Sequence, residues 1–551
     1  MSLDDDNTRT AWAPLTHDSL NAEPAGKSRL NASQFVLLNV ALLLGNVLVL
    51  FNTGAFASIS LHATGELSVS PSHASWIQTY YFISLAIALP VSAWLAARFG
   101  EVRLYLVAML AMALGSLLCS LTHELTWFLL GRVVQGFFGG LTIPLSQTLL
   151  LREYPEAKKA FGISLWSMAA LSPFTFGPLL GGWIADQLGW HWLFYLNVPL
   201  PLLSAGLVWA LLFDRFPAMR SLRPFDTAGF ILLAIALGCL QTVLNQGQDE
   251  DWYNSAFIVL MAIAGVLALT CFIIWELGTR YPLLNLRLFA RRNFAIGTVG
   301  LSVSFLLMYG LLSVLLVRLQ SVSGYTSFLA GAVLVPLLFF AKPMAGFFHL
   351  IVHRYDARLL VCLNMLAFAW FCYLTSSYDF FQRNSWFTNT LWSQLLEGFC
   401  LGGLFVPMTT LFLSGLRPKR QTQAVELGGM LRILGGSVAS PLLGVLWERR
   451  AAFHQSHLAE TLTAYDAFGR AAVAGLNTAG FHGPLATAKL AVATGQHAAI
   501  LGLDDMFRLS MWLFLGMAAL VWFAHPVQQA HQPTRQEELR ETALETLVEE
   551  P

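Results

Sequence analysis

Fourteen apolar stretches, each long enough to cross a lipid bilayer, decide what this chain can fold into. They run over about 35–55, 76–97, 104–121, 126–151, 160–185, 192–213, 227–245, 256–275, 294–317, 327–350, 359–377, 388–415, 424–447 and 506–525. A helix crosses the hydrocarbon core with about 20 residues, each rising about 1.5 Å. The strands of a membrane barrel are about 10 residues long with alternating polarity, a pattern absent here. Of the 551 residues 56% are hydrophobic and only 12% charged, against about 25% charged in a soluble domain. Such a chain is no soluble multidomain enzyme, disordered protein or coiled coil. Its 32 basic and 32 acidic residues cancel, which argues against a nucleic-acid partner. Cys119, Cys239, Cys271, Cys362, Cys372 and Cys400 all fall in apolar runs, where reduced, buried thiols are expected rather than a disulfide framework. The expected fold class is an all-α polytopic membrane protein.

Orientation follows from the basic residues. Connections leaving even-numbered spans hold Arg98 and Arg103; Arg152, Lys158 and Lys159; Arg215, Arg220 and Arg223; Arg280, Arg287, Arg291 and Arg292; Arg354 and Arg358; Arg417, Lys419 and Arg420. The opposite short loops hold only Arg383 and Arg318, the latter at a helix end, beside Glu66, Glu124 and Asp249-Glu250-Asp251. Both termini are therefore expected in the cytoplasm. Residues 1–34 are polar, with Asp4-Asp5-Asp6 and no apolar core for a cleavable signal. This head and the tail 526–551 read as disordered. One external connection, 448–505, is long and Ala-rich and reads as a small helical elaboration.

The chain contains a repeat. Gln135-Gly136-Phe137-Phe138-Gly139-Gly140-Leu141-Thr142-Ile143-Pro144 in span 4 returns in span 12 as Glu397-Gly398-Phe399-Cys400-Leu401-Gly402-Gly403-Leu404-Phe405-Val406-Pro407, with one residue inserted. Gly177-Pro178-Leu179-Leu180-Gly181 in span 5 returns in span 13 as Ser440-Pro441-Leu442-Leu443-Gly444. The loop from Arg98 to Leu104 has a fainter echo in Arg354–Leu359. The matched spans stand eight apart, so two six-helix halves flank a two-helix insert, a 6+2+6 arrangement. The halves are 35–215 and 294–525, and the insert is 227–275. Parallel repeats of this kind characterise transporters that work by alternating access, with the substrate site between the halves near the midplane.

Four stretches carry a family resemblance that covers about residues 35–525. Trp94-Leu95-Ala96-Ala97-Arg98-Phe99-Gly100-Glu101-Val102-Arg103 resembles the loop 2–3 signature of the major facilitator superfamily, and Arg132-Val133-Val134-Gln135-Gly136 its span-4 signature. Gly177-Pro178-Leu179-Leu180-Gly181-Gly182 is similar to the antiporter motif of span 5. Trp190-His191-Trp192-Leu193-Phe194-Tyr195-Leu196-Asn197-Val198-Pro199 resembles the opening of span 6 in the fourteen-helix drug:proton antiporter branch, EmrB type. The resemblance implies the major-facilitator fold with fourteen helices. It implies a multidrug exporter driven by the proton gradient, with no cofactor, in a bacterial inner membrane. Its partners would be a periplasmic adaptor of the EmrA type and an outer-membrane channel.

Arg98, Gly100, Glu101 and Arg103 form a charged loop suited either to latching helix ends or to plain positive-inside anchoring. Gly177, Pro178, Gly181 and Gly182 allow close packing and a bend, a gate in the functional reading. Trp190 and Trp192 read as an interfacial aromatic belt. Arg132 lies inside span 4, where a charge costs about 3 kcal/mol or more and calls for a partner. Glu397 and Glu426 are the clearest intramembrane acids, with Arg432 as an ion-pair partner for either; these four make the candidate coupling network. The branch carries an aspartate in span 1 where this chain has Asn52, so the titrating role is expected to pass to Glu397. Asn52, Gln78, Gln147 and Trp166 are the candidate cavity wall.

Other chemistries fail. Gly26-Lys27-Ser28 lacks the first glycine of a phosphate loop, position 21 being Asn, which removes an ATP-driven pump. His454, His457 and Glu460 share a helical face but read as a solvated helix rather than a metal site. The spans show no catalytic triad or paired acids, which disfavours a membrane lipid enzyme. The remaining transport alternative is a dedicated exporter of one metabolite class, such as a fatty acid, a bile-salt-like detergent or a siderophore.

Overall fold

The computed structural model describes residues 30–69, 73–155, 159–213, 224–279, 282–352, 354–377, 386–416, 418–462 and 467–526. The expectations for most of the head, for the tail beyond 526, for Gly26-Lys27-Ser28, and for Lys158, Arg215, Arg220, Arg223, Arg280, Arg383 and Arg417 lie outside them.

Every element among the described residues is helical. In chain order they are α1 (Ala32–Glu66), α2 (His73–Phe99), α3 (Glu101–Leu121), α4 (Leu125–Glu153), α5 (Lys159–Gln187), α6 (His191–Leu196), α7 (Pro199–Leu212), α8 (Thr227–Gln246) and α9 (Ala256–Gly278). They continue as α10 (Arg292–Ser321), α11 (Ser327–Ala332), α12 (Val335–Ile351), α13 (Ala357–Ser376), α14 (Trp386–Leu413), α15 (Pro418–Thr461), α16 (Ala467–Thr478) and α17 (Pro484–Leu520). Thirteen segments are long and apolar enough to cross a membrane, and the 29-residue α5 covers the remaining predicted span. In lipid every backbone N–H and C=O must be satisfied within the segment, so long apolar runs become helices. Pro90, Pro144, Pro343, Pro407 and Pro441 sit inside helices, where neighbours in a packed bundle compensate the lost hydrogen bond. Gly100, with φ at +89°, turns the chain between α2 and α3 within one residue, a conformation that disfavours any side chain.

Two predicted spans are broken rather than continuous. The stretch predicted over 192–213 divides at Asn197-Val198 into α6 and α7, because Pro199 and Pro201 lack backbone donors. The stretch over 327–350 divides at Val333-Leu334 ahead of Pro336. Two others are longer than predicted. The 44 residues of α15 reach about 66 Å, far beyond a bilayer core of about 30 Å, and α17 begins at Pro484 rather than near 506. Within 448–505 the end of α15 packs on the start of α17. Trp447 Nε1 donates to the Ala499 carbonyl at 2.7 Å, while Arg450 and His454 both reach Asp505.

The chain divides into two compact units, Met1–Ala234 and Ile235–Pro551. In the first, α1 lies against α5 with backbones in close approach: a side chain at Gly177 or Gly181 would press on Gly54 and Ala55. Its core gathers Phe56, Ile59, Phe128, Trp190 and Phe194. Trp190 is thus no belt residue; its ring is buried, edge-on to Phe128 at 5.6 Å, whereas Trp192 is exposed. In the second unit α10 packs on α15, α12 on α14, and α13 on both α14 and α17.

The repeat is physical as well as textual. Gly136 and Gly140 of α4 sit on the carbonyls of Tyr81 and Leu85 of α2; Gly398 and Gly402 of α14 sit on those of Leu337 and Ala341 of α12. Two glycines four apart meet two carbonyls four apart in each unit. The expected cysteine burial holds for Cys119, Cys362, Cys372 and Cys400 but fails for Cys239 and fully for Cys271. Cys271 lies on α9, most of whose side chains are exposed and apolar, a surface suited to lipid.

Candidate functional site

Arg132 is wholly buried in the first unit and is the centre of a polar network drawn from four helices. Its Nη1 donates to Gln135 Oε1, one helical turn on, at 3.2 Å, and its Nη2 approaches Gln78 Oε1 of α2 at 3.4 Å. Gln78 Nε2 donates to the Thr53 carbonyl of α1, and Gln135 Nε2 to Ser116 Oγ of α3 at 2.7 Å. Aromatic faces close the remainder: the guanidinium carbon lies 4.3 Å from the Tyr81 ring centre, 4.9 Å from Phe56 and 5.8 Å from Phe194. Tyr81 is itself tied to α1 through its hydroxyl, which donates to the Val49 carbonyl at 2.6 Å. Among the described residues Arg132 is the sole buried charge of this unit. Amide oxygens and ring faces surround the cation.

Asn52 is buried one turn away on α1. It accepts from Asn197 Nδ2 at 3.1 Å and donates to the Leu48 carbonyl at 2.9 Å. Asn197 sits at the α6–α7 break, so the broken helix is pinned to α1 by an amide pair. Of the four cavity candidates, Asn52 and Gln78 belong to this buried region. Trp166 bonds to Ser146 at 3.1 Å instead, and Gln147 is half-buried.

The second unit repeats the arrangement with the charge reversed. Glu397 is buried on α14, and Gln394, one turn before it, hydrogen-bonds its carboxylate. Each lies 262 positions after its counterpart, so Arg132 and Gln135 correspond to Gln394 and Glu397. Cys372 of α13 faces Glu397, where Ser116 of α3 faces Gln135.

Arg432 and Glu426 do not join Glu397. Neither makes an ion pair or hydrogen bond among the described residues, so the predicted pairing of Arg432 with either acid is not formed. Arg432 instead lies over the rings of Phe305 and Phe405, 5.4 and 5.3 Å from their centres. Phe405 is eight residues beyond Glu397, about 12 Å along the helix, too far for a contact.

At the loop between α2 and α3, Glu101 pairs with Arg152 at the end of α4 at 2.9 Å. The ion pair therefore joins α3 to α4, and Arg152 is a partner that adjacency in the sequence does not reveal. The guanidinium of Arg103 lies 5.9 Å from the Phe213 ring centre; Arg98 closes the last turn of α2. Gly177, Pro178, Gly181 and Gly182 are all buried on α5.

Other charges were passed over by the sequence reading. Glu276 is buried near the end of α9 and accepts from the backbone N–H groups of Leu283 and Leu284, fixing the following turn. Arg318, expected at a helix end, lies in the last turn of α10 and is fully buried. Lys342 lies inside α12. His454 turns to Asp505 at 2.7 Å rather than toward Glu460, whereas His457 and Glu460 form an exposed pair at 3.5 Å.

Comparison with known proteins matches residues 42–440 to the Major Facilitator Superfamily model. The multidrug export protein EmrB of Haemophilus influenzae is 35% identical over 89% of this chain and 96% of its own length. The fatty acid resistance protein FarB of Neisseria gonorrhoeae is 34% identical over 84% of this chain and 90% of its own. Among solved structures, an auto-inhibited POT family peptide transporter superposes with a TM-score of 0.59 at 14% identity, over 92% of this chain and 99% of that one, a likeness of fold alone. With a family model spanning most of the helices and relatives matched over nearly their whole length, the chain belongs to the Major Facilitator Superfamily as a multi-pass membrane transporter akin to EmrB.

Proposed function

We propose that this transporter is a proton-driven exporter of hydrophobic and amphipathic compounds in a bacterial inner membrane. The observation that carries the reading is the similarity, over nearly the full chain, to proteins named for multidrug export. Two duplicated units supply the two bodies that alternating access requires. Glu397 is the proposed proton carrier, because it is a buried carboxylate held by an amide rather than by a cation. Asn52 cannot titrate, and Arg132 keeps its charge throughout. The Glu101–Arg152 pair is the proposed cytoplasmic latch. A periplasmic adaptor of the EmrA type and an outer-membrane channel would complete the export path, and the helical region 448–505 is the proposed handle for the adaptor. A dedicated exporter of one compound class is the second reading, supported by the similarity to FarB.

Transport by the purified protein in proteoliposomes decides the main point. A chemically diverse set of amphipathic compounds is expected to move against its gradient only while an imposed pH gradient lasts. Uptake unaffected by collapse of that gradient would overturn the proton-driven reading.

A further inference from the structure

Arg432 differs from the enclosed charges Arg132 and Glu397. It is fourteen residues into α15, inside the apolar part of the helix, and half-buried. Its guanidinium carries five N–H donors in a planar fork, yet none finds an acceptor among the described residues. Its neighbours are two rings, Phe305 of α10 and Phe405 of α14, each a little over 5 Å away. Ring faces attract a cation but supply none of the hydrogen-bond acceptors that a guanidinium at membrane depth calls for.

Comparison within the chain shows that packing does not require this arginine. The residue 263 positions earlier, at the same place in the repeat, is Ala169. The first unit thus completes the corresponding helix with a methyl group. Arg132, by contrast, is fully enclosed and its amide acceptors are in place. A guanidinium that is enclosed and has acceptors for both its terminal nitrogens is built for structure; one that is partly open, flanked by apolar rings and lacking acceptors is built to receive an acceptor from outside the chain.

We propose that Arg432 binds the carboxylate of an anionic amphipathic substrate, with Phe305 and Phe405 flanking the apolar body next to the head group. Two parallel N–H···O bonds from the fork suit a planar carboxylate, and the flanking rings exclude water that would weaken them. A quaternary ammonium compound gains nothing from this residue and is repelled by it. The assignment rests on the exporter reading and adds to it a preferred charge and a specificity residue.

Laurate and dodecyltrimethylammonium share a twelve-carbon chain and differ in head-group charge, so they separate the two claims. Binding of each is measured by titration of the full-length protein in nanodiscs. Arg432→Gln is expected to weaken laurate at least tenfold and to leave dodecyltrimethylammonium bound as tightly as before or more tightly. Arg432→Lys, which keeps the charge but loses the fork, should fall between. Wild-type affinity for laurate in Arg432→Gln overturns the proposal, as does an equal loss of both ligands or a wild type that binds no laurate. Gradient-driven export of the cationic compound with no effect of Arg432→Gln on laurate would leave the exporter reading standing while this assignment fails.

Discussion

Arg132 in the first unit and Glu397 in the second occupy helices related by the internal repeat, each beside a glutamine one turn away. The first pair is Arg132 with Gln135 and the second Gln394 with Glu397, so the same hydrogen-bond spacing holds a cation in one unit and an anion in the other. Their surroundings differ in kind. Three rings and two amide oxygens surround Arg132. Glu397 has an amide and nearby thiols. An always-charged group in a closed network makes a rigid anchor, whereas a titratable group with few partners can exchange a proton without dismantling its surroundings. Duplication thus supplied two equivalent positions, and in the proposed function their divergence separates an anchor from a proton carrier.

The comparison breaks most sharply at Glu397. Glu397→Gln preserves the bond to Gln394 while removing the titration, so gradient-driven export should fall to background with substrate binding intact. Export at the wild-type rate in proteoliposomes under an imposed pH gradient would make Glu397 a structural residue and leave Glu426 as the acid to test.

A smaller effect of another kind is expected at Arg132. Arg132→Leu leaves the oxygens of Gln78 and Gln135 buried without the cation, a loss of about 3 kcal/mol on the scale of broken buried networks. Thermal unfolding of the detergent-purified protein should therefore drop clearly for Arg132→Leu and stay near wild type for Glu397→Gln. Equal melting temperatures for the two variants would erase the distinction between anchor and carrier.

The smallest effect belongs to Asn52→Asp. An aspartate there still accepts from Asn197, and in its protonated form still donates to the Leu48 carbonyl, so export should change less than about twofold. A loss of transport comparable to that of Glu397→Gln would show that the amide pair between α1 and α6 is as critical as the buried acid.

Much of this was legible without coordinates. Apolar length alone marked the helices, since a bilayer leaves the backbone no other way to satisfy itself. The Gly-rich strings of spans 4 and 12 exposed the duplication, because close helix approach demands small residues at fixed spacing. The same strings placed Glu397 against Gln135. What failed was partnership. Arg432 reads as a mate for Glu397 or Glu426 when both acids are counted by span. In the folded unit it lies at the level of Phe405, about two helical turns past Glu397. Trp190 reads as a belt residue by its place at a helix start, yet its ring is buried in the core against Phe128 and Phe194.

The sequence by itself determined the class of the molecule, the apolar spans, the internal repeat and the family, since all of these rest on local length, periodicity and composition. Only the tertiary structure decided which charges are anchored and which stand open, because that depends on side chains tens or hundreds of positions apart arriving at one depth. Glu101 finding Arg152 across fifty residues, Asn52 finding Asn197, and Arg432 finding two rings and no carboxylate are results of helix packing that no single stretch of the chain encodes.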